Sequence, residues 1–422
     1  MIKKKDKLAI IGLGYVGLPL AVEFSKYYEV VGFDISSDRI NELNNYYDRT
    51  LECDTITLQN LKNIIFTCDP IKITNCNIYV ITVPTPIDKN KAPNLLPLIE
   101  ATTLVGGMLN KNDIVIYEST VYPGCTEEDC VPILENTSKL IFNKDFFCGY
   151  SPERINPGDK INTLTNIIKV TSGSNSDTAI KVDNLYKSII KAGTFKASSI
   201  KVAEASKAIE NAQRDVNISF INELALIFDK IGINTVDVLN AAATKWNFQN
   251  YKPGLVGGHC IGVDPYYLAY KSESLGYYPA VILSGRRVNE GMSHFVVNKL
   301  LKIMIRKEIQ IKNSRILILG ITFKENCPDI RNTRVIDVYK ELIAFGCNVD
   351  VLDPWAKSDE VKRELSINIK SSIKDIDFNI YDGIILAVAH DLFKSINILK
   401  REKTVIFDLK NIFPDQIVDS RL

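Results

Sequence analysis

The chain has 422 residues, 46% of them hydrophobic and 24% charged, and its 51 Lys and Arg against 50 Asp and Glu leave a formal net charge of +1. That length exceeds one ordinary core, so two or three domains are expected, and the balanced charge gives no electrostatic footprint for nucleic acid or an anionic membrane. No apolar run reaches the roughly 18 residues a membrane span needs, and the lysine-rich start lacks a signal-type apolar segment, so a cytoplasmic protein with reduced thiols is expected.

In chain order, Leu8–Gly14 reads as a buried strand entering a glycine turn, and helical apolar spacing follows from Tyr15 to Tyr27. Glu29–Asp34 is the next strand. Ile78–Val83 and Asp113–Tyr117 follow, ending in Pro84-Thr-Pro86 and Glu118-Ser-Thr120. Strands alternating with helices predict a parallel, doubly wound α/β sheet. Gly12-Leu-Gly14-Tyr15-Val16-Gly17 fits G-x-G-x-x-G between strand and helix, where glycines let the backbone approach a pyrophosphate at the helix N-terminus. Asp34 closes the second strand, where a carboxylate hydrogen-bonds a ribose 2′-hydroxyl and repels a 2′-phosphate, so NAD is expected over NADP. Arg39 works against that preference, because an arginine nearby can accept a 2′-phosphate.

From about Ser198 to Gly232 the pattern becomes one long helix with apolar Ile209, Ala212, Val216, Phe220, Leu224 and Ile227. Such a helix is on the order of 50 Å long, enough to join two domains or two subunits, and a homodimer built on it is expected. Glu204, Lys207, Asn211 and Arg214 share one face. That stripe reads either as a solvated face with local ion pairs or as the lining of a cleft, where a lysine stabilises an oxyanion. A second series of strands begins at Ser314–Gly320 and continues through Asn348–Asp353, Tyr381–Ala387 and Val405–Asp408. It has only Gly320 where three glycines would mark a dinucleotide site, so a second Rossmann-like domain with another ligand is expected.

Nine cysteines are scattered at 53, 68, 76, 125, 130, 148, 260, 327 and 347 without metal-ligand spacing, and no metal site is expected. Most read as small buried hydrophobes. Cys260 differs, since Pro253–Leu268 sets it among four glycines with His259 beside it and Asp264 four residues on. Taken alone, Cys260 is as readily an inert buried thiol as a nucleophile. Beside an NAD site, a thiolate suits oxidation of an aldehyde through a thiohemiacetal to a thioester that water hydrolyses. His259 is read as structural.

These motifs, with Ser151-Pro-Glu-Arg-Ile-Asn-Pro-Gly158, Ala203–Asn211, Gly257-Gly-His-Cys260 and Phe323–Arg331, make the chain resemble the UDP-glucose and GDP-mannose dehydrogenase superfamily over essentially its whole length. Within it, Cys260-Ile-Gly-Val-Asp264 and Ser151-Pro-Glu-Arg154 depart from the Cys-Leu-Pro-Lys-Asp and Asn-Pro-Glu-Phe of the UDP-glucose branch. They resemble the branch acting on UDP-N-acetylhexosamines for surface polysaccharides.

The resemblance implies two Rossmann-like doubly wound domains joined by a long central helix and a helical dimerisation domain. The boundaries expected are 1–197 for the NAD-binding domain, 198–312 for the central helical domain with the cysteine loop, and 313–422 for the UDP-sugar-binding domain. It implies Cys260 as the nucleophile that captures a C6 aldehyde, Lys207 and Asn211 as oxyanion partners, Asp264 as a proton or water handler and Glu153 as the hydrolytic base. For NAD it implies the Gly12–Gly17 loop, Asp34, Arg39, Thr85, Thr120 and Arg331. For the nucleotide sugar it implies Arg154, Asn156, Arg214, Tyr251, Gly254, Gly257, Phe323 and Lys324. Arg286 and Arg287 are assigned either to substrate or to the dimer interface.

The expected reaction is oxidation of the C6 hydroxyl of UDP-N-acetylglucosamine or UDP-N-acetylgalactosamine to the uronic acid, with UDP-glucose and UDP-N-acetylmannosamine as alternatives. Two rivals stand against it. A simple two-electron dehydrogenase would have no use for Cys260, and a non-enzymatic NAD-binding sensor would tolerate loss of Lys207.

Overall fold

The computed structural model describes residues 6–88, 90–155, 161–258 and 261–422. Asn156, His259 and Cys260 lie outside the described residues. The chain divides into two compact units, Met1–Glu210 with Tyr266–Tyr277, and Asn211–Pro265 with Tyr278–Leu422.

The first unit is built on eight strands: β1 (Lys7–Ile11), β2 (Glu29–Phe33), β3 (Ile64–Thr67), β4 (Ile78–Ile81), β5 (Ile114–Tyr117), β6 (Phe147–Tyr150), β7 (Lys169–Gly173) and β8 (Thr194–Lys196). Their order is β3-β2-β1-β4-β5-β6-β7-β8, parallel except for the antiparallel β6–β7 pair. Strands such as Ile78-Tyr-Val-Ile81 are buried at every position, because crossover helices cover both faces of a parallel sheet. The order reverses direction between β1 and β4, which places a ligand crevice at their carboxyl ends. The core on one face gathers Leu8, Ile10, Leu18, Phe24, Val80, Ile116 and Tyr186.

The second unit carries β9 (Arg315–Leu319), β10 (Asn348–Leu352), β11 (Gly383–Leu386), β12 (Val405–Asp408) and β13 (Ser420–Arg421), all parallel in the order β10-β9-β11-β12-β13. One face packs on the helix Ala280–Arg306 through Met292, Val296, Leu300 and Met304, and the other closes over Leu317, Ile384 and Phe393. The doubly wound α/β class expected from the alternating pattern is what the chain adopts.

The long helix runs Ile200–Ile231. Its buried positions include Ala203, Glu204, Lys207, Asn211, Asp215, Ser219 and Asn222, whereas Ile209, Phe220 and Ile227 are 55%, 56% and 43% exposed. Of the six apolar positions that the sequence picks out along this helix, Ile209, Phe220 and Ile227 are thus turned outward within the single chain, while Ala212 is buried and Val216 and Leu224 are half-buried. Among the described residues no helix is long and apolar enough to cross a membrane.

Candidate active site

At the carboxyl end of β1 the glycine motif does three separate jobs. Gly12 sits at φ +94° and donates its N–H to Phe33 O at 2.8 Å, a conformation that favours a residue without Cβ. A Cβ on Gly17 would stand 1.8 Å from Gly12 O and 2.4 Å from the Thr82 Oγ1, so helix and strand meet there backbone to backbone. A Cβ on Gly14 would meet nothing within 4 Å, so this glycine borders open space. The following helix, Gly17–Ser25, has Val16 at its N-cap with no side-chain cap bond. A helix start without a side-chain cap, beside an open glycine, fits a pyrophosphate, and the loop fits NAD in this respect.

Asp34 accepts from Leu13 N at 2.8 Å and Ser36 N at 2.9 Å. That holds its half-buried carboxylate at the end of β2, beside the loop. Arg39 is buried, donates from Nε to Leu13 O at 2.8 Å and pairs with Asp48 at 2.8 Å. Its guanidinium supports the glycine loop from below. Asp48 in turn holds the turn that follows it, accepting from Thr50, Glu52 and Cys53 N–H groups. Thr85 Oγ1 donates to Thr120 O at 2.7 Å, which ties the loops after β4 and β5 together, and Tyr267 OH donates to Thr85 O at 2.9 Å.

Behind these loops lies a buried charge cluster. Glu118 receives Lys169 Nζ at 2.6 Å and the Tyr186 hydroxyl, and Lys169 lies 3.9 Å from Glu153. Burial raises the Glu118 carboxyl above its ordinary range even though Lys169 draws it down, and the nearby Glu153 adds to the rise. Glu153 also accepts from Ile155 N. Arg154 turns the other way, bonding Ile168 O at 2.9 Å and Glu210 at 2.5 Å. On the long helix, Glu204 accepts from Gly124 N at 2.5 Å and Thr126 N at 2.9 Å, anchoring the turn after Thr120. Burial pushes its carboxyl up to about 7. Lys207 is buried one turn further along the same face.

In the second unit Asn211 Nδ2 donates to Asp264 Oδ2 at 2.5 Å, with both residues buried. Asp264 opens the helix Asp264–Ser274, directly after the segment that contains Cys260. The Tyr251–Gly257 loop is held at three places. Asn217 Nδ2 reaches Tyr251 OH at 3.5 Å, and Asn222 bonds both N (2.8 Å) and O (3.1 Å) of Gly254. Beyond them a Cβ on Gly257 would stand 2.6 Å from Asn332 O. Gly258, at φ +88°, lies against the Phe323 ring, where an added Cβ would be 2.9 Å away. Phe323 and Lys324 are half-buried, Arg331 pairs with Asp329 at 2.6 Å, and Arg214 is exposed with no contact that assigns it a role.

Sequence reasoning missed Lys410, whose Nζ lies 3.6 Å from where a Gly254 Cβ would be. Burial holds its ammonium below the usual lysine range despite Glu325 and Asp408 nearby. Its place just past β12 was the available signal. Arg286 and Arg287 part company: Arg286 is buried on Asp215 at 2.6 Å, and Arg287 is exposed. Among the other cysteines, Cys76, Cys125, Cys130, Cys148, Cys327 and Cys347 are buried. Burial pushes the Cys76 thiol up to about 11 and the half-buried Cys53 thiol to about 12, and Cys148 rises for the same reason. Thiols held protonated in this way are poor nucleophiles.

Three family models match in sequence: the UDP-glucose/GDP-mannose dehydrogenase NAD binding domain over 6–190, the central domain over 201–291, and the UDP binding domain over 317–415. A UDP-N-acetyl-D-glucosamine 6-dehydrogenase of Salmonella typhi is 56% identical over 421 residues, covering 99% of this chain and 98% of its own. One from Pseudomonas aeruginosa is 55% identical over 424 residues, covering 99% and 100%. The solved UDP-D-ManNAc dehydrogenase of Pyrococcus horikoshii superposes with a TM-score of 0.87 at 29% identity, covering 98% of each chain. A three-glycine loop that fits a dinucleotide, a second sheet without one and matches along nearly the whole length agree, and the chain belongs to the UDP-glucose/GDP-mannose dehydrogenase family.

Proposed function

We propose that the protein oxidises the C6 hydroxyl of UDP-N-acetyl-D-glucosamine to the carboxylate, a four-electron reaction, for a surface polysaccharide. The observation that carries this reading is the full-length identity of 56% and 55% to two enzymes of that name. The same likeness favours the gluco over the galacto configuration at C4. Each of the two oxidations would deliver its hydride to a separate NAD, a second one replacing the NADH formed first.

The residues of the chain do the rest. Asn211 and Lys207, a turn apart on one helix face, steady negative charge on the C6 oxygen. The amide of Asn211 is oriented for this by Asp264, which takes its second acceptor position to hold water or a departing proton. Cys260 adds to the C6 aldehyde, giving a thiohemiacetal and, after the second oxidation, a thioester. Glu153 draws the proton from the hydrolytic water, aided by its place in the Glu118–Lys169 cluster. The Gly12–Gly17 loop, Asp34, Thr85 and Thr120 hold NAD, with Arg39 bracing the loop and Arg331 proposed as a further contact. Tyr251, Gly254, Gly257, Phe323, Lys324 and Lys410 receive the nucleotide sugar, and Arg154, Asn156 and Arg214 remain proposed substrate contacts.

The domains proposed are 1–197, 198–312 and 313–422. A second copy of the chain covers the outward stripe of Ile209, Phe220 and Ile227, whose spacing places them on one face of the long helix. The decisive experiment counts NADH formed per sugar for wild type and Cys260→Ser with both C4 epimers. About two NADH per UDP-N-acetylglucosamine, lost in the variant, is expected. About one, indifferent to the variant, would leave a simple alcohol dehydrogenase.

A further inference from the structure

The Tyr251–Gly257 loop has no regular secondary structure, and glycines give it more conformational freedom to lose than most backbone. Its order comes from elsewhere. Asn222, fully buried on the long helix, accepts from Gly254 N at 2.8 Å and donates to Gly254 O at 3.1 Å. One carboxamide thereby matches both polar groups of one residue, as a neighbouring strand would.

The orientation of that amide is fixed by a directed chain of bonds. Asn222 Nδ2 also donates to Asn289 Oδ1 at 2.7 Å. Asn289 Nδ2 donates to Asp215 Oδ1 at 2.8 Å and to Asp215 O at 3.1 Å. Asp215 is charge-balanced by Arg286 NH1 at 2.6 Å. Each amide oxygen faces a donor and each amide nitrogen an acceptor, with a carboxylate at the end that only accepts. All four residues are at most 1% exposed, so water does not compete for these bonds. Asp215 and Asn222 lie seven residues apart on one face of the long helix, and Arg286 and Asn289 three apart on the helix Ala280–Arg306. A Cβ on Gly285 would stand 2.8 Å from Ser219 Oγ, which shows how closely the two helices approach.

We infer that Asn222 is the positioning residue of the nucleotide-sugar site, holding Gly254 in register through Asn289, Asp215 and Arg286. This rests on the reading of the Tyr251–Gly257 loop as the nucleotide-sugar loop. Gly254 is where the effect enters, since Lys410 approaches the same residue.

The test uses the full chain with UDP as probe and NAD as internal control, both titrated calorimetrically. Asn222→Asp replaces the donor with an acceptor facing Gly254 O and Asn289 Oδ1. It should raise the UDP dissociation constant roughly tenfold, leave that of NAD within about twofold, and raise KM for the sugar more than it lowers kcat. Asn289→Ala leaves Asn222 in place without its orienting partner and should weaken UDP about threefold; it decides the matter if the first variant does not fold. UDP affinity unchanged in both variants, or UDP and NAD weakened in parallel, would overturn the inference while leaving the proposed function intact. Wild-type protein that binds no UDP at all would overturn both.

Discussion

The two sheets begin alike and end differently. Gly12 at φ +94° and Gly320 at φ +92° each follow the first strand of their sheet, and each donates its N–H to the end of the neighbouring strand at 2.8 Å, to Phe33 O and Leu352 O. Each neighbouring strand then ends in an aspartate whose carboxylate turns back to the loop. Asp34 accepts from Leu13 and Ser36 and stays half-buried at an open edge. Asp353 is fully buried, accepting from Ile321, Thr322, Trp355 and Ala356 N–H groups, and His390 Nε2 lies 3.1 Å away.

His390 Nδ1 accepts from Asn326 N at 2.9 Å, so the ring also shapes the Phe323–Asn326 loop. A Cβ on Gly320 would stand 2.4 Å from Val388 Cβ and one on Gly12 3.2 Å from Thr82 O, so both first glycines are crowded; two residues on, Gly14 borders open space whereas Thr322 is fully buried and bonded to Lys324 O. The same opening turn thus leaves an open edge at Gly14 in one unit, and in the other is filled by Thr322 and Asp353 while Phe323 and Lys324 just beyond stay half-buried. What separates them is where the open space lies: over the turn itself, or one step past it.

The largest effect that tests this contrast lies within the first loop. Gly17→Ala must displace backbone at Gly12 and should cost about 3 kcal/mol in urea unfolding together with most NAD binding. Gly14→Ala should leave the unfolding midpoint in place while weakening NAD about tenfold. Equal destabilisation by both substitutions would mean that the open edge is not a ligand site.

The second test exchanges the aspartates. Asp353→Asn turns an amide donor toward a ring of donors and should cost about 2 kcal/mol without changing NAD affinity. Asp34→Asn should do the reverse, weakening NAD about tenfold, seen by fluorescence titration, with about 1 kcal/mol or less lost in stability.

The smallest test is pH. Burial raises the Asp353 carboxyl, but the His390 bond and the backbone donors outweigh it and leave the group below its ordinary 3.8. Its share of stability is therefore present above 3.8 and is lost as pH falls through the folded value. Glu204 in the first unit runs the other way. With a folded pKa of about 7 against 4.5, its share is complete below 4.5 and fades as pH rises through about 7. Chemical denaturation followed from acid to neutral pH should show the two trends, with Glu204→Gln removing only the upper one.

Much of this was legible in the sequence. The apolar strands β1, β2, β4, β5 and β9 to β12 declared themselves by composition, and the glycine motif by its setting between strand and helix. Strands β3, β6, β7, β8 and β13 did not; Phe147-Cys-Gly-Tyr150 and Lys169-Val-Thr-Ser-Gly173, for example, are mixed in polarity and buried only through tertiary contact. The shared face of Glu204, Lys207, Asn211 and Arg214 followed from helical spacing; the first three are buried, which rules out a solvated stripe along their part of the helix, and Arg214 is exposed.

Sequence spacing did not reveal that Asp215 and Asn222 continue that face, since polar residues on a helix ordinarily read as solvated. Nor could it tell Arg286 from Arg287. Adjacent helix positions point about 100° apart, and only the packing of Asp215 decides which one is inside.

Arg39 carries a consequence for anyone wishing to redesign the coenzyme preference. Its Nε is bonded to Leu13 O and its charge is paired with Asp48, so it stands as a strut under the turn, buried away from a ligand, although its two terminal nitrogens complete no hydrogen bond among the described residues. Removing the carboxylate of Asp34 would abolish a repulsion without creating an attraction. A phosphorylated coenzyme would need a cation brought in from outside this framework, because recruiting Arg39 would pull out the brace on which the whole turn rests.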